Sequence, residues 1–235
     1  MRSPYDAAFD ALERSAAAPA DLAVPFVDAF PVSGASVSTL GELLGSETIS
    51  ATDAQAARLD ELQFDLGEGP CWDAMRSMRP VLMTDVRTES RQAWPTLSGA
   101  IDPDRLGSLF AFPLVFGPLR IGAVDLYSVE PVRLNPDQAR RAGAMADVVS
   151  RHVLRHALNT SENEFDERPS LHSRRVIHQA TGFVLAQLDI SPDDARLVIQ
   201  GHAFATSRSM MDIADDIVAG RMSFIRNAGG IEVSS

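Results

Sequence analysis

The segment 108–129 constrains the fold more than any other part of the chain. Along 108–116, Phe110, Phe112, Leu114 and Phe116 form one alternate set and Leu109, Ala111, Pro113 and Val115 the other. Side chains of a strand alternate between faces, so this strand is apolar on both and must be covered on both. Gly117-Pro118 supplies a turn, and 120–129 returns as an antiparallel partner. Pro113 has no N–H to give to a ladder, which predicts a bulge or an unpaired position there.

The rest of the chain supplies the covering layers. Apolar residues at helical spacing predict a short leading helix and a second ending near Pro31. Val37 and Leu40 sit in a β-like run, Gly45 turns the chain, and 48–51 pairs back. Thr52 or Asp53 caps a helix that stops before Gly67, and Pro70 opens another over 71–78. Residues 80–85 read as a strand, and 89–101 as a helix around Trp94. Asn135-Pro136-Asp137 starts a long helix. Its stripe of Ala139, Ala142, Ala146, Val149, Val153 and Ala157 is widened by Met145, Val148 and His152. That breadth is open to two readings: a helix buried on its own domain, or one that also meets a second subunit.

Residues 159–170 are polar and acidic and mark a domain boundary. Three helices follow. The first covers 174–188. The second is capped by Ser191-Pro192-Asp193-Asp194, and the third starts at Ser209-Met210-Met211-Asp212. Short connections make them a compact bundle. Asn227-Ala228-Gly229-Gly230 reads as a frayed tail.

Composition narrows the function. All 21 basic residues are arginine, which removes Schiff-base and phosphate-loop lysine chemistry. The net charge of −11 argues against non-specific coating of nucleic acid. Residues 1–170 hold 15 Arg against 25 acids, and 171–235 hold 6 against 7, so the tail permits RNA binding without requiring it. The single cysteine, Cys71, excludes an internal disulfide and a multi-cysteine metal site. His152 and His156 are four apart on a helix but lack a third ligand, so no metal is expected. No nucleophile elbow, phosphate loop, dinucleotide fingerprint or kinase signature is present, and neither enzyme nor cofactor is expected. The amino terminus has no leader, and no apolar run approaches a membrane span. A cytoplasmic protein without membrane contact is therefore expected.

The residues also carry a resemblance. Residues 64–69, Pro70-Cys71, Arg79-Pro80-Val81 and the hairpin 111–127 resemble GAF domains of the actinobacterial type. Arg174-Arg175-Val176-Ile177-His178-Gln179-Ala180-Thr181-Gly182 resembles the opening helix of ANTAR domains. Ser191-Pro192-Asp193-Asp194-Ala195 with Ala203-Phe204-Ala205 resembles the second ANTAR helix, and 208–218 the third. The implied fold class is α+β: a GAF-type antiparallel sheet domain with flanking helices, followed by an all-α three-helix ANTAR bundle. The expected boundaries are 1–158 for the GAF-type domain with its trailing long helix and 159–170 for the linker. The ANTAR domain then covers 171–226 and a flexible tail 227–235.

The resemblance implies a signal-responsive RNA-binding antitermination regulator acting on stem-loops in nascent transcripts, dimeric through the helix 136–158. Arg174, Arg175, Gln179, Thr181 and Arg208 are the candidate RNA contacts, since arginine forks onto phosphate and stacks on unpaired bases. A small-molecule pocket in the GAF-type domain would use Cys71, Trp72, Phe110, Phe112 and Asp125. Asp125 is either an outward alternate position or a group facing a pocket, and exposure is the preferred reading. Cys71 at a helix start admits a redox role, although a buried thiol is the commoner case. Gly182 and Gly201, inside helices, are read as sites of close packing. Thr181 and Gln200 stand where the ANTAR pattern carries cations. They motivate the alternative, a GAF-mediated dimeric interaction module whose tail no longer binds RNA.

Overall fold

The computed structural model describes residues 3–14, 21–40, 44–102, 104–161, 175–227 and 230–234, with the side chains of 91, 159–161 and 175 outside that description. The chain divides into two units, Met1–Arg168 and Pro169–Ser235, the division falling within the polar segment.

In the first unit, α1 (Pro4–Arg14) and α2 (Val24–Ala29) precede β1 (Gly34–Thr39) and β2 (Glu47–Ala51). Then come α3 (Ala54–Leu66), α4 (Pro70–Ser77), β3 (Val81–Met83), α5 (Val86–Ala93) and α6 (Pro95–Ala100). β4 (Ser108–Phe116), β5 (Leu119–Ser128) and α7 (Pro136–Ser161) complete it. The five strands form one antiparallel sheet in the order β2-β1-β5-β4-β3. The hairpin expected from 108–129 is its centre. Pro113 lies opposite Ala123, and the ladder shifts register directly after it, between Leu114 and Val115.

The two faces of the sheet are covered differently. Phe110, Phe112, Leu114, Val124 and Leu126 join α1, α2 and α7 in one apolar core that includes Leu12, Phe26, Met145 and Val149. Leu109 and Tyr127 point the other way, into a smaller core with Ala56, Leu59, Trp94 and Leu97. Met145 and Val148 are buried within the first of these cores, and the His152 ring nitrogen Nε2 lies 2.9 Å from the Leu12 carbonyl oxygen. The unit's own elements therefore account for the breadth of the α7 stripe.

Local chemistry sets the element ends. The Asp53 carboxylate accepts from the N–H groups of Gln55 and Ala56 at 2.8 and 2.9 Å and so caps α3. Gly67, at φ 66°, ends α3 in the left-handed conformation. The single helix expected over 89–101 is two helices. Pro95 excludes the helical conformation for the residue before it, and Trp94 sits at φ −141°, ψ 78°. The long helix runs to Ser161, three residues into the segment read as linker.

In the second unit, α8 (Arg175–Leu188), α9 (Pro192–Thr206) and α10 (Met210–Val218) pack around Ile177, Val184, Ile199, Ile213 and Ile217, all buried. The Ser191 hydroxyl accepts from the Asp194 N–H at 3.1 Å, and the Ser209 hydroxyl from the Asp212 N–H at 3.1 Å. Both starts are thus capped as their sequences predict. The tail differs from its reading as frayed. β6 (Ser223–Asn227) and β7 (Gly230–Ser234) pair antiparallel. Phe224 anchors this hairpin: it is buried, its N–H donates to the Gln187 side-chain oxygen at 2.9 Å, and its ring meets His202 edge-on.

Candidate functional site

The first unit buries polar groups under one face of its sheet. Asp125 lies at the middle of β5, paired with Ser36 of β1 and Ala111 of β4. It is 5 % exposed, which corrects the expectation of an outward position. The alternation of β5 does place it on the less apolar face, but α3 and α4 close over that face. One carboxylate oxygen, Oδ2, accepts from Gln63 Nε2 at 2.8 Å, and the other, Oδ1, has no hydrogen-bond partner among the described residues. Burial pushes the Asp125 carboxyl well above the usual carboxylate range; the charge of Asp60 adds to the rise, and the Gln63 hydrogen bond opposes it.

Gln63 organises the site. Its side-chain oxygen accepts from the Cys71 N–H at 3.0 Å, its backbone oxygen accepts from Trp72 Nε1 at 2.7 Å, and its amide holds Asp125. Gly69 makes the approach possible. At φ 131°, it sits where a Cβ would lie 2.6 Å from the Gln63 side-chain oxygen. Trp72 stacks on Phe64 with ring centroids 6.4 Å apart. Asp60, also buried, accepts from the Thr48 hydroxyl. The phenol of Tyr127 donates to Asp53 Oδ1 at 3.1 Å. Burial, then the Asp53 carboxylate, push that phenol up to about 12.

Of the five residues expected around a pocket, Cys71, Trp72 and Asp125 gather around Gln63. Phe110 and Phe112 do not, because they lie on the opposite side of β4, in the core with α7. Cys71 is fully buried, which keeps its thiol from solution oxidants and electrophiles. Gln63 was missed. Its signal was a polar residue at the position seven after Ala56 on α3, where the buried face requires an apolar one or a partnered group.

In the second unit, Arg174 and the side chain of Arg175 lie outside the described residues. Gln179 is exposed on α8. The Thr181 hydroxyl donates to the Ile177 carbonyl at 2.7 Å, so it is engaged by its own helix. Arg208 precedes α10 and donates to Asp216 Oδ2 at 2.6 Å, while Arg221 holds the other oxygen at 2.7 Å. These two hydrogen bonds, Arg208 first, hold Asp216 below the usual carboxylate range. Among the described residues, no atom comes within 4 Å of a Cβ placed on Gly182 or Gly201. Close helix packing therefore does not account for either glycine. Leu197 and Phe204 of α9 and Phe183 of α8 are large, apolar and exposed.

The family profile described as GAF domain matches residues 16–153, more than half of the chain. The chain belongs to the GAF domain family. The profile described as ANTAR domain matches residues 168–218. Both are regulatory domains: a GAF domain is a signal-sensing module, and an ANTAR domain implies RNA-binding antitermination regulation. No curated protein matches the chain.

Among solved structures, the GAF domain of a phosphoenolpyruvate-protein phosphotransferase from Coxiella burnetii is similar at a TM-score of 0.52 and 11 % identity, over 68 % of this chain and 95 % of that one. The corresponding domain from Acinetobacter gives 0.51 and 12 %, over 66 % and 93 %. A free methionine-R-sulfoxide reductase from Neisseria meningitidis gives 0.48 and 14 %, over 67 % and 89 %. At these identities the likeness to the two phosphotransferase GAF domains shows the fold alone. Among the described residues, no helix is long and apolar enough to cross a membrane.

Proposed function

We propose that this GAF–ANTAR chain is a signal-responsive, cytoplasmic regulator that binds stem-loops in nascent transcripts and prevents termination, with no catalytic step of its own. The observation that carries the reading is the ANTAR match over a bundle whose second and third helices are capped by Ser191 and Ser209. Arg174, Arg175, Gln179, Thr181 and Arg208 are assigned to the RNA side. The GAF unit receives a small molecule on the Gln63–Asp125 side of its sheet. A homodimer through 136–158 belongs to the same reading, and its support is the exposed apolar Leu158 of α7.

Binding of the full chain to a stem-loop RNA, measured by fluorescence anisotropy across a salt series, tests the reading. Affinity should fall as salt rises, because arginine–phosphate contacts release counterions. Reversing Arg174 and Arg175 to Glu should abolish binding. A full chain with no stem-loop affinity in monomeric or dimeric form would sink the proposal. It would favour the protein-interaction module, for which the engagement of Arg208 by Asp216 and the exposure of Leu197 and Phe204 speak.

A further inference from the structure

A carboxylate taken out of water needs a counter-charge or a full set of hydrogen-bond donors. Asp125 has neither among the described residues. Gln63 serves one oxygen and nothing serves the other. The charge of Asp60, which acts on it too, is of the same sign.

The space beside it has a definite size. Asp125, Ser36, Leu59, Leu109 and Tyr127 line a cavity of about 10 Å³. That is room for roughly one water-sized group. Leu59 is also a wall of a second concavity, a surface groove of about 340 Å³ between α3 and the segment after α6. Exposed Arg58, Asp102 and Arg105 line that groove together with Leu62, Ile101 and Leu106. Arg58 is paired with Glu61, whereas Arg105 has no ion pair among the described residues. Leu59 thus lines both the inner cavity and the outer groove. Movement of Leu59 would join an acidic end to a wider vestibule that carries both Arg105 and Asp102.

From this arrangement we infer that the GAF unit binds a small molecule through a primary ammonium head that enters the inner cavity and docks on Asp125. The inference rests on the reading of this face as the sensory pocket. A single nitrogen matches the size of the cavity, where a planar amidinium or guanidinium does not fit. An ammonium group brings the missing charge and three donors, for Asp125 Oδ1 and for the Ser36 hydroxyl that lines the same space. Water alone would bring donors without charge and leave two acids buried near each other. The rest of the molecule passes Leu59 into the groove, where Leu62, Ile101 and Leu106 take its apolar stem and Arg105 meets a carboxylate tail.

The test is isothermal titration calorimetry on the full chain with ammonium chloride, 5-aminovalerate and valerate, against sodium chloride. Both ammonium-bearing compounds should bind, 5-aminovalerate the more tightly, and valerate should not. Asp125→Asn should weaken binding by about tenfold or more, the loss expected for removal of a buried charge-assisted hydrogen bond. Should that variant fail to fold, the carboxyl carbon resonance of Asp125 in the unaltered chain reads the same contact. It should shift with 5-aminovalerate and stay still with valerate. The inference is overturned if no ammonium compound binds, if valerate binds as well, or if Asp125→Asn binds undiminished. Stem-loop affinity of the same preparation, measured without amine, separates the two readings. RNA binding without amine binding overturns this inference alone, and amine binding without RNA binding overturns the antitermination reading alone.

Discussion

The two faces of the central sheet use the same strands for opposite purposes. On one, Phe110, Phe112, Val124 and Leu126 meet apolar side chains of α1, α2 and α7. On the other, Ser36, Asp125 and Tyr127 meet a helix that itself buries Asp60 and Gln63. Apolar burial on the first face stabilises the unit by ordinary transfer and packing. The second face gives up part of that stability to keep polar groups where water does not reach them. The difference teaches that side-chain alternation in β4 and β5 sorts an apolar core from a buried polar cluster within a single hairpin.

The sharpest way to break this comparison is to cut each face in turn. Phe112→Ala removes a fully buried ring from the apolar face. Such a truncation costs about 3–5 kcal/mol. Chemical denaturation should show the loss as a lowered midpoint for the first unit. A loss of less than about 1 kcal/mol would mean that the face is not close-packed.

The polar face should respond with the opposite sign. The folded carboxyl of Asp125 is raised above its ordinary value of 3.8, so the folded state holds its proton more tightly than the unfolded chain does. Its contribution to stability is fully present below that ordinary value and is lost as pH rises through the folded value. Asp125→Asn removes the limb and should stabilise the protein at neutral pH by roughly 1–3 kcal/mol, the scale of an unsatisfied buried polar group. Thermal denaturation from pH 4 to pH 8 checks it. The unaltered chain should lose stability along that series relative to the variant, and parallel curves would contradict a buried, proton-retaining Asp125.

The polar face was also the harder to read in the sequence. The irregularity expected at Pro113 lies between Leu114 and Val115, whereas the hairpin and its doubly apolar first strand were legible, because alternation acts locally. So were the caps at Asp53, Ser191 and Ser209. Asp125 was misjudged because its burial depends on α3, more than sixty residues away in the chain, and nothing local reports that cover. Phe110 and Phe112 were assigned to a pocket by residue type, whereas strand parity, present in the same sequence, puts them on the other side. The hairpin of β6 and β7 was hidden by its glycines. The alternating Ile231-Glu232-Val233 was the overlooked signal. Gly182 and Gly201 looked like packing residues, and only coordinates show that their missing side chains face no neighbour.

Tyr127 gives the finest test, because it is a polar group of the same face that does have its partner. Its phenol reaches Asp53, the residue that caps α3, and Gly34 on the paired strand leaves room for it. A Cβ at Gly34 would lie 2.3 Å from the Tyr127 ring. Tyr127→Phe keeps the ring and deletes one satisfied hydrogen bond, at a cost of about 1 kcal/mol. The pH signature distinguishes it from a packing change. With the phenol raised from 10.0 to about 12, the bond's contribution is fully present below pH 10 and fades as pH rises towards 12. The difference in stability between Tyr127→Phe and the unaltered chain should therefore hold constant up to pH 10 and shrink above it. A difference that persists unchanged through pH 12 would assign the loss to packing and remove the hydrogen bond from the account of this face.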